Sequence, residues 1–225
     1  MKHSVQELND IAKEARRVTM KCIASLGKGH VGGALDIVDA LTVLYYEEMN
    51  IDPANPKMAG RDRLVLSKGH GGPGLYAAVG MALADRIDGN GARVYCIIGD
   101  GESQEGQIWE AGMYAAQMKL GSLTCFLDLN GQQIDASVDE VNSLLDAGEK
   151  WRAFGWNVQE VNGHDVQAIY DAVEAAKTCT DKPNMIVMHT VKGKGWKRIE
   201  GTTMSHSLSV SADDLAEALN DIDKE

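Results

Sequence analysis

Residues 94–110 read VYCIIGDGESQEGQIWE, and residues 123–130 read LTCFLDLN. Each opens on a continuous apolar run, Val94 to Ile98 and Leu123 to Leu127, of the kind a parallel strand covered on both faces requires. The first run stops at Gly99-Asp100-Gly101, after which a helix is expected from about Gln104 to Leu120. The second ends in a polar loop, Asp128 to Asp135. The alternation extends outward. Upstream lie an amphipathic helix over 4–26, a second helix from Ala34 to Glu48, a short strand at 64–66, and a helix from Gly74 to Asp88 with Pro73 placed for its first turn. Downstream lie a strand from Trp156 to Val161, a helix from Val166 to Lys177, a strand from Asn184 to His189, and a last helix capped by Ser211 or Asp213 and ending near Ile222. Strands alternating with helices predict an α/β fold, a doubly wound parallel sheet with helices on both faces, in a single domain over 1–225.

Composition narrows the function. With 225 residues, 44% of them apolar, the chain can build a sizeable core. No apolar run approaches the ~20 residues of a membrane span, and the N-terminus MKHSVQELNDIAKEARR has no secretory apolar region. A net charge of -11 argues against a nucleic-acid footprint. Cys22, Cys96, Cys125 and Cys179 are widely spaced, with Cys96 and Cys125 inside apolar runs, so a reducing cytoplasm is expected.

Eleven of the 24 glycines fall in three short windows, around His30, His70 and Asp100. In doubly wound sheets, sites form at the carboxyl ends of strands. Gly99 and Gly101 flank Asp100 there, ahead of a helix N-terminus that favours an anion. If the two quoted strands are neighbours, Asp100 and Asn130 converge. One carboxylate, one amide oxygen, the carbonyl of Gln132 and a diphosphate would then suit Mg²⁺. On spacing alone, Asp100 as a simple helix cap is the alternative.

The string from Gly99 to Glu110, followed by Asp128 to Asp135, resembles the thiamine diphosphate motif of transketolases. Gly29-His30-Val-Gly-Gly33 and Ser67-Lys-Gly-His70-Gly-Gly-Pro73 resemble two further family loops, and Trp151 to Trp156, Gly163-His-Asp165 and Thr190 to Gly195 also match. The resemblance covers most of the chain, but only the family's N-terminal, diphosphate-binding domain. It implies that Asp100, Asn130 and the Gln132 carbonyl bind Mg²⁺ (or Ca²⁺ or Mn²⁺), and that Gly99, Gly101 and Glu102 belong to the diphosphate site. His70 would lie beside the cofactor, His30 would reach the substrate, and His206 would match a late histidine near both. Glu105 and Glu110 match acidic residues that link paired active sites across a subunit interface, and Ile108, Trp109 and Met113 share their helix. The activity implied is transfer of a two-carbon ketol unit from a ketose (phosphate) to an aldose (phosphate).

The resemblance breaks in two places. The pyrimidine-binding domain is missing, which implies an α2β2-type assembly with a separate C-terminal, pyrimidine-binding subunit, and no ketol transfer by this chain alone. Between His70 and the stretch Ala78 to Leu83, near Tyr76, family members carry several dozen more residues that help hold the cofactor. Here one helix start runs straight into another helix end, with Leu75, Val79, Leu83 and Ile87 on one stripe. A minimal variant, a subunit that has lost cofactor binding, and a mobile segment outside the 225 residues are the alternatives; an intact mass well above 24.3 kDa would show the last. Other readings are a deoxyxylulose phosphate synthase, a catalytically impaired or scaffold subunit, and a nucleotide-binding domain.

Overall fold

The computed structural model describes residues 1–69 and 74–224. His70 and Pro73 lie outside the described residues. Helix α1 (Val5–Ser25) starts at Ser4, whose hydroxyl accepts the Glu7 N–H while the Glu7 carboxylate takes the Ser4 N–H. Its buried face is Leu8, Ala12, Arg16 and Met20. The apolar residues Val5, Val18 and Cys22 of this amphipathic helix are exposed. Arg16 is buried instead, because Asp39 pairs with it.

The expected helix over 34–48 is three pieces: α2 (Gly32–Leu35), α3 (Val38–Val43) and a π-helical turn (Leu44–Glu48). Ile37, at φ -101° and ψ 5°, interrupts the first two. A two-residue strand β1 (Lys28–Gly29) separates α1 from α2. Gly27-Lys-Gly-His-Val-Gly32 therefore has the GxGxxG spacing of a dinucleotide fingerprint but not its context, since β1 pairs only antiparallel with β7 (Leu208–Ser209) and not in a parallel sheet.

The main sheet joins β2 (Arg63–Leu66), β3 (Val94–Gly99), β4 (Leu123–Leu129), β5 (Asn157–Asn162) and β6 (Asn184–His189) in the order β2-β3-β4-β6-β5, all parallel. Alternate residues of β3 face opposite sides. Val94, Cys96 and Ile98 pack with α4 (Gly74–Asp88), α5 (Gly106–Gln117) and α7 (Ala147–Ala153). Tyr95 and Ile97 pack with α1, α3 and α8 (Val166–Thr178). This is the doubly wound sheet with helices on both faces. A third cluster joins α1 to α9 (Ala212–Asp223) through Met20, Trp196, Ala218 and Ile222, and Ser211 caps α9.

Details differ from the sequence reading. The stretch after β3 winds first as a 3-10 turn over Glu102–Gln104, so α5 starts at Gly106. Helices α6 (Val138–Asn142) and α7 are extra, capped by Ser137 and Asp146. In α4 the buried face is Leu75, Ala78, Val79 and Ala82, while Ile87 is exposed beyond the sheet. Cys96 and Cys125 are buried opposite each other in the β3–β4 register. No helix among the described residues is long and apolar enough to cross a membrane.

Candidate active site

The carboxyl ends of β2, β3, β4 and β6 deliver Lys68, Asp100, Asn130 and Lys192 to one cavity of about 970 Å³. Because β3 and β4 are neighbours, with Gly99 opposite Asp128, Asp100 and Asn130 do converge. The Asp100 carboxylate accepts the Gly101 N–H at 2.7 Å and the Gly131 N–H at 2.6 Å. Gly131 can present that N–H because it sits at φ +74°, a region other residues rarely adopt. Burial, and then the nearby Asp128 charge, push the Asp100 carboxyl up to about 6. The Asn130 oxygen accepts the Gln132 N–H at 3.0 Å.

Beneath these residues lies a buried charge cluster. Lys68 donates to Asp36 Oδ1 at 2.8 Å and also to Asp128. Burial and the neighbouring Asp128 push Asp36 up to about 8. Burial also acts to raise Asp128, but the Lys68 ammonium and the Thr190 and Asn130 hydrogen bonds outweigh it and hold that carboxyl below the usual range. Lys68 itself is raised, since the two carboxylates outweigh its burial.

On the opposite wall the Lys192 ammonium donates to the carbonyls of Gln132 and Gln133 at 3.0 and 3.3 Å and to His206 Nδ1 at 3.1 Å. Burial lowers its pKa. As an acceptor from lysine, Nδ1 of His206 carries no proton, which leaves the proton of the neutral ring on Nε2. The His30 and His206 rings meet edge to face with centroids 5.2 Å apart.

The structure thus brings His30, Gly99, Asp100, Gly101, Glu102, Glu105, Asn130, Gln132 and His206 to the same cavity, and His70 lies outside the described residues. Glu102 is turned back into the fold: its carboxylate accepts the Gly99 N–H at 3.0 Å and the Ser67 hydroxyl. Glu105 is exposed before α5, and Glu110 accepts the Tyr76 hydroxyl at 2.5 Å. Of the expected partner-facing apolar residues, Ile108 is core, Trp109 packs on Trp151, and Met113 is exposed. Asp36, Lys68, Asp128 and Lys192 carry the electrostatics of the site and were not singled out from sequence. Their only local signals are an acid within an apolar helical segment and lysines inside glycine-rich loops.

The oxygen donors fit a hard divalent cation. Among the described residues, no cluster of three or more His, Cys, Asp or Glu side chains could hold a metal. The set is instead one carboxylate, one amide oxygen and one backbone carbonyl, as suits Mg²⁺, which takes few protein ligands and completes its shell with phosphates. The Gln132 carbonyl already accepts a cationic group, and the buried Asp100 carboxylate is held by backbone N–H groups.

Comparison with known proteins agrees with this fold. Residues 8–84 and 72–222 match the family described as transketolase, thiamine diphosphate binding domain. The chain is 40% identical to the 6-deoxy-6-sulfo-D-fructose transketolase subunit SqwG of Clostridium sp. (strain MSTE9), over 97% of each chain. It is 30% identical to an apulose-4-phosphate transketolase subunit of Phocaeicola vulgatus, over 97% of this chain and 94% of that one. The crystal structure of Campylobacter jejuni transketolase superposes with a TM-score of 0.92 at 26% identity, over 98% of this chain. This chain spans only 43% of the length of that enzyme. The alignment to the Clostridium subunit runs over 267 positions against 225 residues here, so several dozen of its positions have no counterpart. The two family matches overlap at 72–84, where the sequence reading placed the internal gap. The chain belongs to the transketolase family, among its N-terminal, thiamine diphosphate-binding subunits.

Proposed function

We propose that this chain is the diphosphate-binding half of a split transketolase that moves a two-carbon ketol unit from a ketose phosphate, or a related ketose, to an aldose. The observation that carries the reading is the convergence of Asp100, Asn130 and the Gln132 carbonyl with Lys192, His206 and His30 in one cavity. Asp100, the Asn130 oxygen and the Gln132 carbonyl would hold Mg²⁺, with Mn²⁺ or Ca²⁺ as substitutes. Lys192 would offset diphosphate charge. His30 and His206 would bind substrate oxygens and move protons, work suited to imidazole near neutral pH. When bound, thiamine diphosphate supplies the carbanion chemistry that cleaves the ketose. The relatives named for sulfofructose and apulose phosphate favour an acidic sugar derivative as substrate. A separate pyrimidine-binding subunit would complete the site, in an α2β2-type assembly, with Glu105 and Glu110 near the subunit contact. His70, by resemblance, would join the cofactor site.

The internal gap favours a second reading, a subunit whose cofactor affinity is weakened. Calorimetry of the chain co-purified with its partner distinguishes the two. Tight thiamine diphosphate binding with Mg²⁺ supports the active subunit, weak binding supports the impaired one, and no heat from a folded complex refutes the enzymatic reading.

A further inference from the structure

The two ends of the Asn130 amide face different surroundings. Its nitrogen donates to Asp128 Oδ2 at 2.8 Å and to Asp36 Oδ2 at 3.1 Å. Its oxygen accepts the Gln132 N–H at 3.0 Å. Asp128, paired with the Lys68 ammonium, only accepts hydrogen bonds, and Asp36 presents its Oδ2 as a second acceptor, so the pair admits the NH₂ end on its side. Both side chains are fully buried and come from separate elements, Asp36 following α2 and Asp128 within β4. The acidic pair is itself anchored. Lys68 bridges it, and the Thr190 hydroxyl donates to the other oxygen of Asp128. Without these acceptors the amide could turn over, losing one backbone hydrogen bond, and would then aim N–H groups where a cation needs an oxygen.

We propose that Asp36 and Asp128, with Lys68 as their shared counter-cation, are positioning residues that lock the Asn130 amide with its oxygen available to a divalent cation. The proposal rests on the cofactor reading above. It assigns a role to Asp36 in particular, which lies 94 residues from Asn130 in sequence. Partners that orient a metal ligand typically change metal affinity by roughly tenfold to a hundredfold when removed.

Asp36→Leu removes both acceptors of that side chain at similar volume, and Asp36→Asn keeps one. Two measurements are made, the first on the full chain and the second on the chain assembled with its partner subunit, with circular dichroism and the melting midpoint as folding controls. The first is exchange of the Asn130 side-chain amide protons by ¹⁵N NMR, assigned through Asn130→Asp. The second is Mn²⁺ binding in the presence of thiamine diphosphate, followed by electron paramagnetic resonance. In folded Asp36→Leu, exchange accelerates and Mn²⁺ affinity falls roughly tenfold to a hundredfold, with Asp36→Asn between that and the parent. If Asp36→Leu does not fold, Asp36→Asn decides alone. Unchanged exchange in a folded variant overturns the proposal, as does unchanged Mn²⁺ affinity. A parent complex that binds no Mn²⁺ overturns the cofactor reading instead, and amide exchange still decides the lock.

Discussion

Replacing Arg16 by Met removes the guanidinium from a carboxylate that has no route to water. Arg16 and Asp39 are each about 5% exposed, and the two guanidinium nitrogens meet the two carboxylate oxygens in parallel, one pair at 3.1 Å. His164 completes the network, donating from Nδ1 to Asp39 at 2.9 Å and accepting the Val191 N–H on Nε2 at 2.8 Å. Burial alone would raise Asp39, but the His164 hydrogen bond and the Arg16 charge outweigh it and hold the carboxyl below its ordinary value of 3.8. Removing one partner of a buried pair costs about 3–5 kcal/mol, and the surviving His164 bond places this case near 3 kcal/mol. For a domain of this size each kcal/mol is worth about 2–4 °C, so the midpoint should fall by about 6–12 °C. Calorimetry at pH 7 measures it. Asp39 is depressed in the fold, so its contribution is complete above pH 4 and is lost as pH falls through its folded value. The deficit of Arg16→Met should therefore shrink below about pH 4. A loss under about 2 °C, or a deficit that widens with acid, would refute the reasoning. Because Val191 precedes Lys192, the substitution should also weaken the cavity wall.

Three more outcomes follow from particular contacts. A Cβ at Gly112 would stand 2.8 Å from the buried ring of Trp151, so Gly112→Ala should destabilise by about 1–3 kcal/mol of overpacking, less up to ~1 kcal/mol of helix propensity; urea denaturation showing no loss would contradict this. Lys192→Met removes the ammonium that faces Gln132, Gln133 and His206, and should weaken thiamine diphosphate binding by roughly tenfold to a hundredfold, the worth of a charge-assisted hydrogen bond, a change that calorimetry resolves. Asp36 and Asp100 are raised to about 8 and about 6, so the metal-free fold holds protons the unfolded chain releases; its stability is lost as pH rises through those values, and the melting midpoint should be higher at pH 5.5 than at pH 8.5.

Much of the architecture was legible because burial on both faces leaves an unbroken apolar run, as at Val94 to Ile98 and Met185 to Met188. Convergence of Asp100 with Asn130 followed from the strands being neighbours, a condition the sequence could pose but not answer. The charge cluster was illegible. Asp36 lies in an apolar segment and Lys68 beside glycines, and only the packing of the α2–α3 segment against the sheet edge of the cavity brings them within 2.8 Å. Arg16 broke the expected helix stripe because its partner Asp39 comes from another helix. The π-helical turn at Leu44–Glu48 and the short helices α6 and α7 left no long periodic signal to read.

The most direct test of the account is a calorimetric titration of thiamine diphosphate with Mg²⁺ into the chain assembled with its partner subunit, run beside Asp100→Ala. The account predicts Mg²⁺-dependent binding by the parent chain and none by Asp100→Ala, with both complexes folded. Binding that persists in Asp100→Ala, or that does not depend on Mg²⁺, would contradict it.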